Sequence, residues 1–70
     1  MRKTLIKARK DKKLTQKQVS EILQIGERHY KKIESGDTIG SVPLWDTLED
    51  LFGVNQRVLR ENHPGKADNP

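Results

Sequence analysis

The sequence predicts an all-α protein, folded as a compact bundle of four to five short helices. Apolar residues recur at helical spacing in successive segments, capping residues and glycines separate those segments, and seventy residues allow one small domain. The predicted helices span approximately residues 2–12, 15–23, 27–35, 42–52 and 56–61.

The first two predicted helices have an apolar face and a strong start signal. One face of the first helix holds Leu5, Ala8 and Arg9, with Ile6 beside them. Thr15 suits the N-cap of the second helix, and Gln18 three residues later completes a capping box that satisfies two backbone amides. We expect the buried stripe of this helix to consist of Val19, Ile22 and Leu23.

The third predicted helix, residues 27–35, separates apolar from charged side chains. At about 100° per residue, Tyr30 and Ile33 point to the same side as Glu34. The opposite face holds Glu27, Arg28, Lys31 and Lys32. Gly36 ends the helix, because glycine readily adopts the left-handed conformation of a helix C-terminus.

Only residues 24–26 separate the second helix from the third. The small Ser20 in the middle of the second helix lets the two helices cross closely, while the third exposes its basic face. This combination predicts a helix-turn-helix whose third helix lies in a DNA groove. We therefore assign residues 1–62 to a helix-turn-helix DNA-binding domain. Residues 63–70, with two prolines and a glycine, are expected to form a disordered C-terminal tail.

The C-terminal helices supply much of the predicted core. Ser41 can cap the fourth helix, which tolerates Pro43 in its first turn. The apolar face of this helix consists of Leu44, Trp45, Leu48, Leu51 and Phe52. Asn55 caps a short fifth helix, in which Val58 and Leu59 are expected to pack back on the bundle.

Charge is distributed unevenly along the chain. Residues 1–35 contain 11 Lys/Arg against 4 Asp/Glu, a charge of +7, and residues 36–70 contain 3 against 6, a charge of −3, which together give +4. The imbalance suggests one surface for a polyanion and another for a different partner. Charge alone fits equally well with helix faces that are merely solvated.

Composition and spacing argue against several classes of protein. Without cysteine there is no disulfide and no cysteine-ligated zinc, and His29 and His63 lack Asp or Glu at ligand spacing, so we predict no metal and no cofactor. The sequence contains neither a nucleophile paired with a base nor a glycine-rich phosphate loop, so it gives no indication of an enzyme. No apolar run approaches the ~18 residues of a membrane span, and no signal-peptide segment follows the basic N-terminus. We therefore expect a cytoplasmic protein without enzymatic activity.

Separated landmarks along residues 5–60 resemble the Cro/cI-type (XRE) helix-turn-helix family. They are Thr15-Gln16, the small Ser20, the sequence Ile-Glu-Ser-Gly at 33–36 and the sequence Leu-Phe-Gly-Val at 51–54. The resemblance implies a bundle of four or five helices whose third helix enters the major groove. Members of the family are mostly phage and bacterial repressors, antitoxins and related regulators.

The resemblance also implies which residues contact DNA. Gln16 matches a family residue that hydrogen-bonds a phosphate, and Glu27, Arg28 and Lys32 match positions that read base edges, with Lys31 on the same face. Physically, Arg28 can donate two hydrogen bonds to a guanine, and Glu27 can accept a hydrogen bond from a cytosine. Backbone amides at the start of the second helix and in the 36–41 loop would face phosphates. The expected DNA contacts are Thr15, Gln16, Lys17, Glu27, Arg28, Lys31, Lys32 and Ser41.

Other residues are assigned to structure. Arg9 and Glu34 match a family pair that forms an ion pair between the first and third helices, and Glu34 would otherwise be an unpaired buried charge. Tyr30 is interpreted as a core aromatic in preference to a residue that stacks on a base. Trp45 is also interpreted as a core residue; if it were partly exposed, it could anchor a dimer or a partner protein.

The chain departs from the family pattern at three positions. The family usually has glycine where this chain has Gln24, a position that often needs a positive φ, so we expect a strained or reshaped turn. Gly26 replaces the usual serine or threonine cap of the third helix. Asp37 lies in a loop where lysine would favour DNA. Together these departures predict weaker DNA binding than in a typical relative.

Two functions from different classes follow. The leading one is a sequence-specific, Cro-like transcriptional regulator of a phage or mobile element, which binds double-stranded DNA as a homodimer through contacts of the fourth helix, the fifth helix or the tail. The alternative is an antirepressor or antitoxin-type regulator that acts by binding a partner protein, such as a larger repressor or a toxin, with DNA binding weak or secondary.

Overall fold

In a computed structural model, which describes residues 1–62, the protein folds as a bundle of helices around a single core. Within those residues there are five helices: α1 Lys3–Asp11, α2 Gln16–Leu23, α3 Glu27–Ser35, α4 Val42–Phe52 and α5 Gln56–Leu59. The predicted all-α class is confirmed, although α5 ends two residues before its predicted limit. The predicted disordered tail, residues 63–70, lies outside the described residues.

Local capping interactions define where the helices begin. The Gln18 backbone amide donates to Thr15 Oγ1 at 3.0 Å, and the Thr15 backbone amide donates to Gln18 Oε1 at 2.8 Å, which completes the predicted capping box. Ser41 Oγ accepts from the Leu44 amide at 3.4 Å at the start of α4. The caps predicted for α2 and α4 are therefore present.

The core lies between α1, α3, α4 and α5, with Val19 contributed by α2. Its buried apolar residues are Leu5, Ala8, Val19, Tyr30, Ile33, Leu44, Trp45, Leu48, Phe52 and Leu59. Trp45 and Tyr30 are the largest of the fully buried side chains. The interpretation of both aromatics as core residues agrees with this packing.

The predicted buried stripe of α2 was wrong at Ile22, which is 47% exposed. Ser20 is buried instead, beside Val19. On a helix, Ser20 lies about 100° to one side of Val19 and Ile22 about 60° to the other. The face that meets α3 is therefore rotated toward Ser20, whose small side chain permits the close approach of the two helices and leaves Ile22 toward solvent.

The prediction that Val58 packs back on the bundle was also wrong, because Val58 is 39% exposed. Helix α5 has only four residues, Gln56–Leu59. A single helical turn presents one residue squarely to the core, and in α5 that residue is Leu59, which is fully buried.

The turn between α2 and α3 depends on an unusual backbone conformation at Gln24. Its φ and ψ are 59° and 43°, in the left-handed region that L-residues other than glycine seldom adopt. The Gln24 side chain is exposed, and within residues 1–62 it makes no hydrogen bond that would offset the cost. The strain expected from the family pattern is therefore located at this single residue.

Replacing Gln24 with glycine should raise the free energy of unfolding by about 1 kcal/mol, because glycine adopts this conformation without the Cβ clash. Urea denaturation followed by circular dichroism measures the change. Gln24→Ala is the matched control, since it shortens the side chain but keeps the Cβ, and should give no such gain. A destabilised Gln24→Gly variant would show that the turn is not strained.

Candidate nucleic-acid interface

Backbone hydrogen bonds define the end of α2 and the start of α3. The Ile25 amide donates to the Ser20 carbonyl at 3.0 Å, and the Tyr30 amide donates to the Gly26 carbonyl at 3.0 Å. Gly26 has an extended backbone and provides no side-chain cap to α3. The left-handed conformation of Gln24 reverses the chain direction, so that only three residues lie between the end of α2 and the start of α3.

Helix α3 divides its side chains as the sequence predicted. Tyr30, Ile33 and Glu34 are buried. The side chains on the opposite face are all exposed, namely those of Glu27, Arg28, Lys31 and Lys32. One carboxylate and three cations thus form a surface with a net positive charge, and we call these four residues the α3 face.

The charges of the α3 face are not independent of one another. The Lys31 ammonium lies 3.7 Å from the Glu27 carboxylate, one helical turn away, and both side chains are largely exposed. An exposed pair of this kind contributes little to stability. It does place a negative group among the cations, at the first turn of the helix, where the helix dipole also favours it.

A buried ion pair fixes α3 to α1. Arg9 Nε donates to Glu34 Oε2 at 2.6 Å, and Arg9 Nη1 donates to the Leu14 carbonyl at 2.9 Å. Glu34 is 3% exposed. The carboxylate therefore has a charged partner in the position that the family resemblance implied, and Arg9 also fixes the chain between α1 and α2.

Gln16 lies at the first position of α2 and belongs to the same network. Its Nε2 donates to Glu34 Oε1 at 2.9 Å, and the residue is half-buried. The neighbouring Thr15 and Lys17 are exposed. The start of α2 is thereby tied to the last turn of α3, which puts the two segments expected to contact DNA in a fixed relation.

The Tyr30 hydroxyl is buried beside this network. Burial, and after it the nearby Glu34 carboxylate, raise the pKa of Tyr30 above its ordinary value. The hydroxyl makes no hydrogen bond within residues 1–62 that meets ordinary distance and angle limits. Tyr30 therefore remains a neutral core side chain, and its ring is not available to stack on a base.

Trp45 and Ser41 lie beside the loop that follows α3. Trp45 is 1% exposed, and its indole Nε1 donates to the Ile39 carbonyl at 2.6 Å. The alternative role of Trp45 as an anchor for a dimer or a partner protein required partial exposure of its side chain. Because Trp45 is buried, it cannot act in this way. Ser41 is exposed, and its hydroxyl caps α4, so only its outer surface is open to a ligand.

Sequence reasoning missed Arg2, which had been placed only at the start of the first helix. Its side chain is 4% exposed and lies over Trp45, with 5.3 Å from the guanidinium carbon to the ring centroid. Burial, together with the nearby Arg60, lowers the pKa of Arg2. One signal could have found it: Arg2 falls on the same helical face as Leu5 and Arg9, at i, i+3 and i+7.

Among residues 1–62, no group of three His, Cys, Asp or Glu side chains could hold a metal ion. Nor does that part of the chain contain a helix with the length and apolar character needed to cross a membrane.

Comparison with known proteins gives one match. The model of a family described as helix-turn-helix matches residues 5–55, from the first turn of α1 to the N-cap residue of α5. No curated protein and no solved structure gives a significant match. The match covers the whole α2–turn–α3 unit, all of α4 and most of α1.

Replacing Glu34 with glutamine should lower the free energy of unfolding by about 3 kcal/mol, because the loss of one partner leaves the buried Arg9 charge uncompensated. Urea denaturation at neutral pH measures the effect. Asp11→Asn is the control, since it removes the exposed Lys7–Asp11 pair and should cost less than about 0.5 kcal/mol. Equal losses in both variants would contradict the structural role of Glu34.

Replacing Tyr30 with phenylalanine should leave the protein as stable or raise its free energy of unfolding by about 1 kcal/mol, because the change removes a buried hydroxyl without a hydrogen-bond partner. Thermal and urea denaturation provide the measurement. A loss of stability would show that the hydroxyl interacts favourably with Glu34. Tyr30→Leu serves as a packing control, and its loss of ring volume should destabilise the core.

Proposed function

The chain belongs to the Cro/cI-type (XRE) helix-turn-helix family of DNA-binding transcription regulators, and on this premise we propose that it recognises a specific DNA sequence by placing α3 in the major groove. The observation that carries the proposal is the exposed α3 face, backed by the buried Tyr30, Ile33 and Glu34. A helix fits the width of the major groove, where each base pair presents a distinct pattern of donors and acceptors.

Each side chain of the α3 face suits a different part of that pattern. Arg28, in the first turn of α3, can donate two hydrogen bonds to a guanine, and Lys32, one turn later, can reach a guanine or a phosphate. Glu27 can accept from the amino group of a cytosine, which would release Lys31 from their present pair. We therefore propose a binding site that includes G·C base pairs.

Phosphate contacts would flank the α3 face on both sides. Gln16 has one amide N–H committed to Glu34, which leaves the other free to reach a phosphate. Thr15 and Lys17 are exposed beside it, and Ser41 lies in the loop on the other side. Contacts of this type set the register of a protein on DNA and carry no sequence information themselves.

The proposed assembly on DNA is a homodimer, and the proposed setting is a phage or mobile element acting in the cytoplasm. Two-fold symmetry would place the two copies of α3 about 34 Å apart, one turn of DNA. Exposed aliphatic side chains at the start of α4 and on α5, Val42 and Val58, support dimer contacts through the C-terminal helices.

Replacing Arg28 with alanine should weaken binding to the preferred site by about 1–3 kcal/mol and relax one base position, with little effect on random DNA. The preferred site is first selected from a random duplex pool with the wild-type protein. Fluorescence anisotropy then measures binding to that site and to random DNA over a range of salt concentrations.

Lys17→Ala provides the matched control on a proposed phosphate contact. It should weaken binding to both DNAs equally and reduce the salt slope by about 1. Loss of equal size on both DNAs for Arg28→Ala would contradict base recognition by Arg28.

The alternative is a regulator of the antirepressor or antitoxin type that binds a partner protein. The Glu27–Lys31 pair favours it, because it offsets part of the positive charge that DNA requires. Weak wild-type binding without a preferred site, combined with a stable heterodimer with a repressor or toxin from the same gene neighbourhood, would establish this alternative in place of the DNA site.

A further inference from the structure

Arg2, the N-cap residue of α1, connects that helix to three other parts of the bundle. Its Nη1 donates to the Ile33 carbonyl at 2.5 Å and to the Thr38 carbonyl at 2.8 Å. Its Nε donates to the Arg60 carbonyl at 3.0 Å. Its backbone amide also donates to the Glu34 carbonyl at 2.8 Å. The last turn of α3, the loop after it and the end of α5 are thus joined by hydrogen bonds to backbone carbonyls.

Two of these interactions determine how the loop after α3 is oriented. The Thr38 carbonyl points toward Arg2, and the Ile39 carbonyl points toward the indole Nε1 of Trp45, at 2.6 Å. Both donors are buried. In a trans peptide the C=O and the following N–H point in opposite directions. The amides of Ile39 and Gly40 therefore point away from the core.

These two amides have no acceptor among residues 1–62. Ile39 itself is highly exposed, and Gly40 has a φ of 82°, so the segment turns sharply with its amides toward solvent. It is the same loop that the proposed function places against phosphates. Outward amides are donors that a phosphate oxygen can accept from, provided that their direction is fixed before binding.

We propose that Arg2 is a positioning residue for DNA binding, which holds residues 38–40 with their amides outward and does not itself touch DNA. The inference rests on the proposed function of the chain. Without Arg2, the Thr38 carbonyl has no buried donor, and the segment rotates between conformations. DNA must then order it on binding, which weakens affinity.

Lysine cannot reproduce this arrangement. The planar guanidinium directs separate N–H groups to carbonyls on three different segments while its face lies on the Trp45 ring. An ammonium group concentrates its donors at one point and reaches only part of this set. Arg2→Lys is therefore a conservative test, because it keeps the charge and removes the geometry.

The test compares wild type with Arg2→Lys under conditions in which both are folded. We expect about tenfold weaker binding to the selected site and to random DNA, comparable to the cost of ordering the backbone of one residue. The slope of log K against log salt should not change, because Arg2 releases no counterions. A slope reduced by about 1 in Arg2→Gln, which removes the charge that lysine keeps, would show that Arg2 contacts a phosphate directly and would overturn the proposal.

A measurement without DNA tests the positioning step separately. ¹⁵N relaxation should show larger-amplitude motion of the Ile39 and Gly40 amides in Arg2→Lys, and the indole N–H of Trp45 should exchange faster with solvent. Unchanged motion, or greater motion with unchanged affinity, would overturn the proposal. If the wild type binds no DNA, the proposed function fails together with the DNA role of Arg2, while relaxation still decides whether Arg2 holds the loop.

Two further variants separate positioning from general stability. Trp45→Phe removes the indole donor to Ile39 and keeps an aromatic ring, so it should weaken DNA binding in the same direction, and it carries the test if Arg2→Lys does not fold. Phe52→Leu destabilises the core at the far end of α4, about 16 Å from the loop, and should leave affinity unchanged. Equal loss of affinity in Phe52→Leu would assign the effect to stability alone.

Discussion

The last turn of α3 is fixed by two arginines, and the rest of the bundle depends on that attachment. Arg9 neutralises the Glu34 carboxylate, and Arg2 bonds the Ile33 carbonyl from the other side. A buried carboxylate without a cation would cost several kcal/mol, so α3 is stable in this orientation only while α1 delivers Arg9. Since Gln16 bonds the same carboxylate, the orientation of α3 also sets the start of α2.

This attachment explains how a nine-residue helix can keep four charged side chains on its outer face. Such a helix is too short to be stable by itself in water. The burial of Tyr30 and Ile33 and the hydrogen-bond network of Glu34 stabilise this helix in the folded protein. The outer face therefore contributes little to the free energy of folding. The exposed Glu27–Lys31 pair is consistent with this division, because a surface pair adds little stability.

The sequence alone predicted those structural features that depend on interactions between neighbouring residues. The capping box at Thr15 and the left-handed Gly36 depend on neighbouring residues, and both could be read directly. The orientation of α2 could not be predicted in this way, because the burial of Ser20 in place of Ile22 depends on how α3 crosses α2. Arg2 was missed for a related reason. Its helical position pointed to burial, but its partners are backbone carbonyls, which residue identity does not reveal, whereas the family resemblance implied that Arg9 pairs with Glu34.

Because the inner and outer residues of α3 are different, the proposed base preference of the domain and its fold can change independently. In the proposed binding mode, substitutions at Arg28 or Lys32 would alter what the helix can bond in the groove and leave the buried network untouched. Gln16 is the exception, since it bonds Glu34 and also lies where a phosphate contact is proposed. A change at Gln16 therefore alters the placement of α2 on α3 and, in the proposed binding mode, would also alter the register of the protein on DNA. Only a variant that keeps the Glu34 bond can separate the two effects.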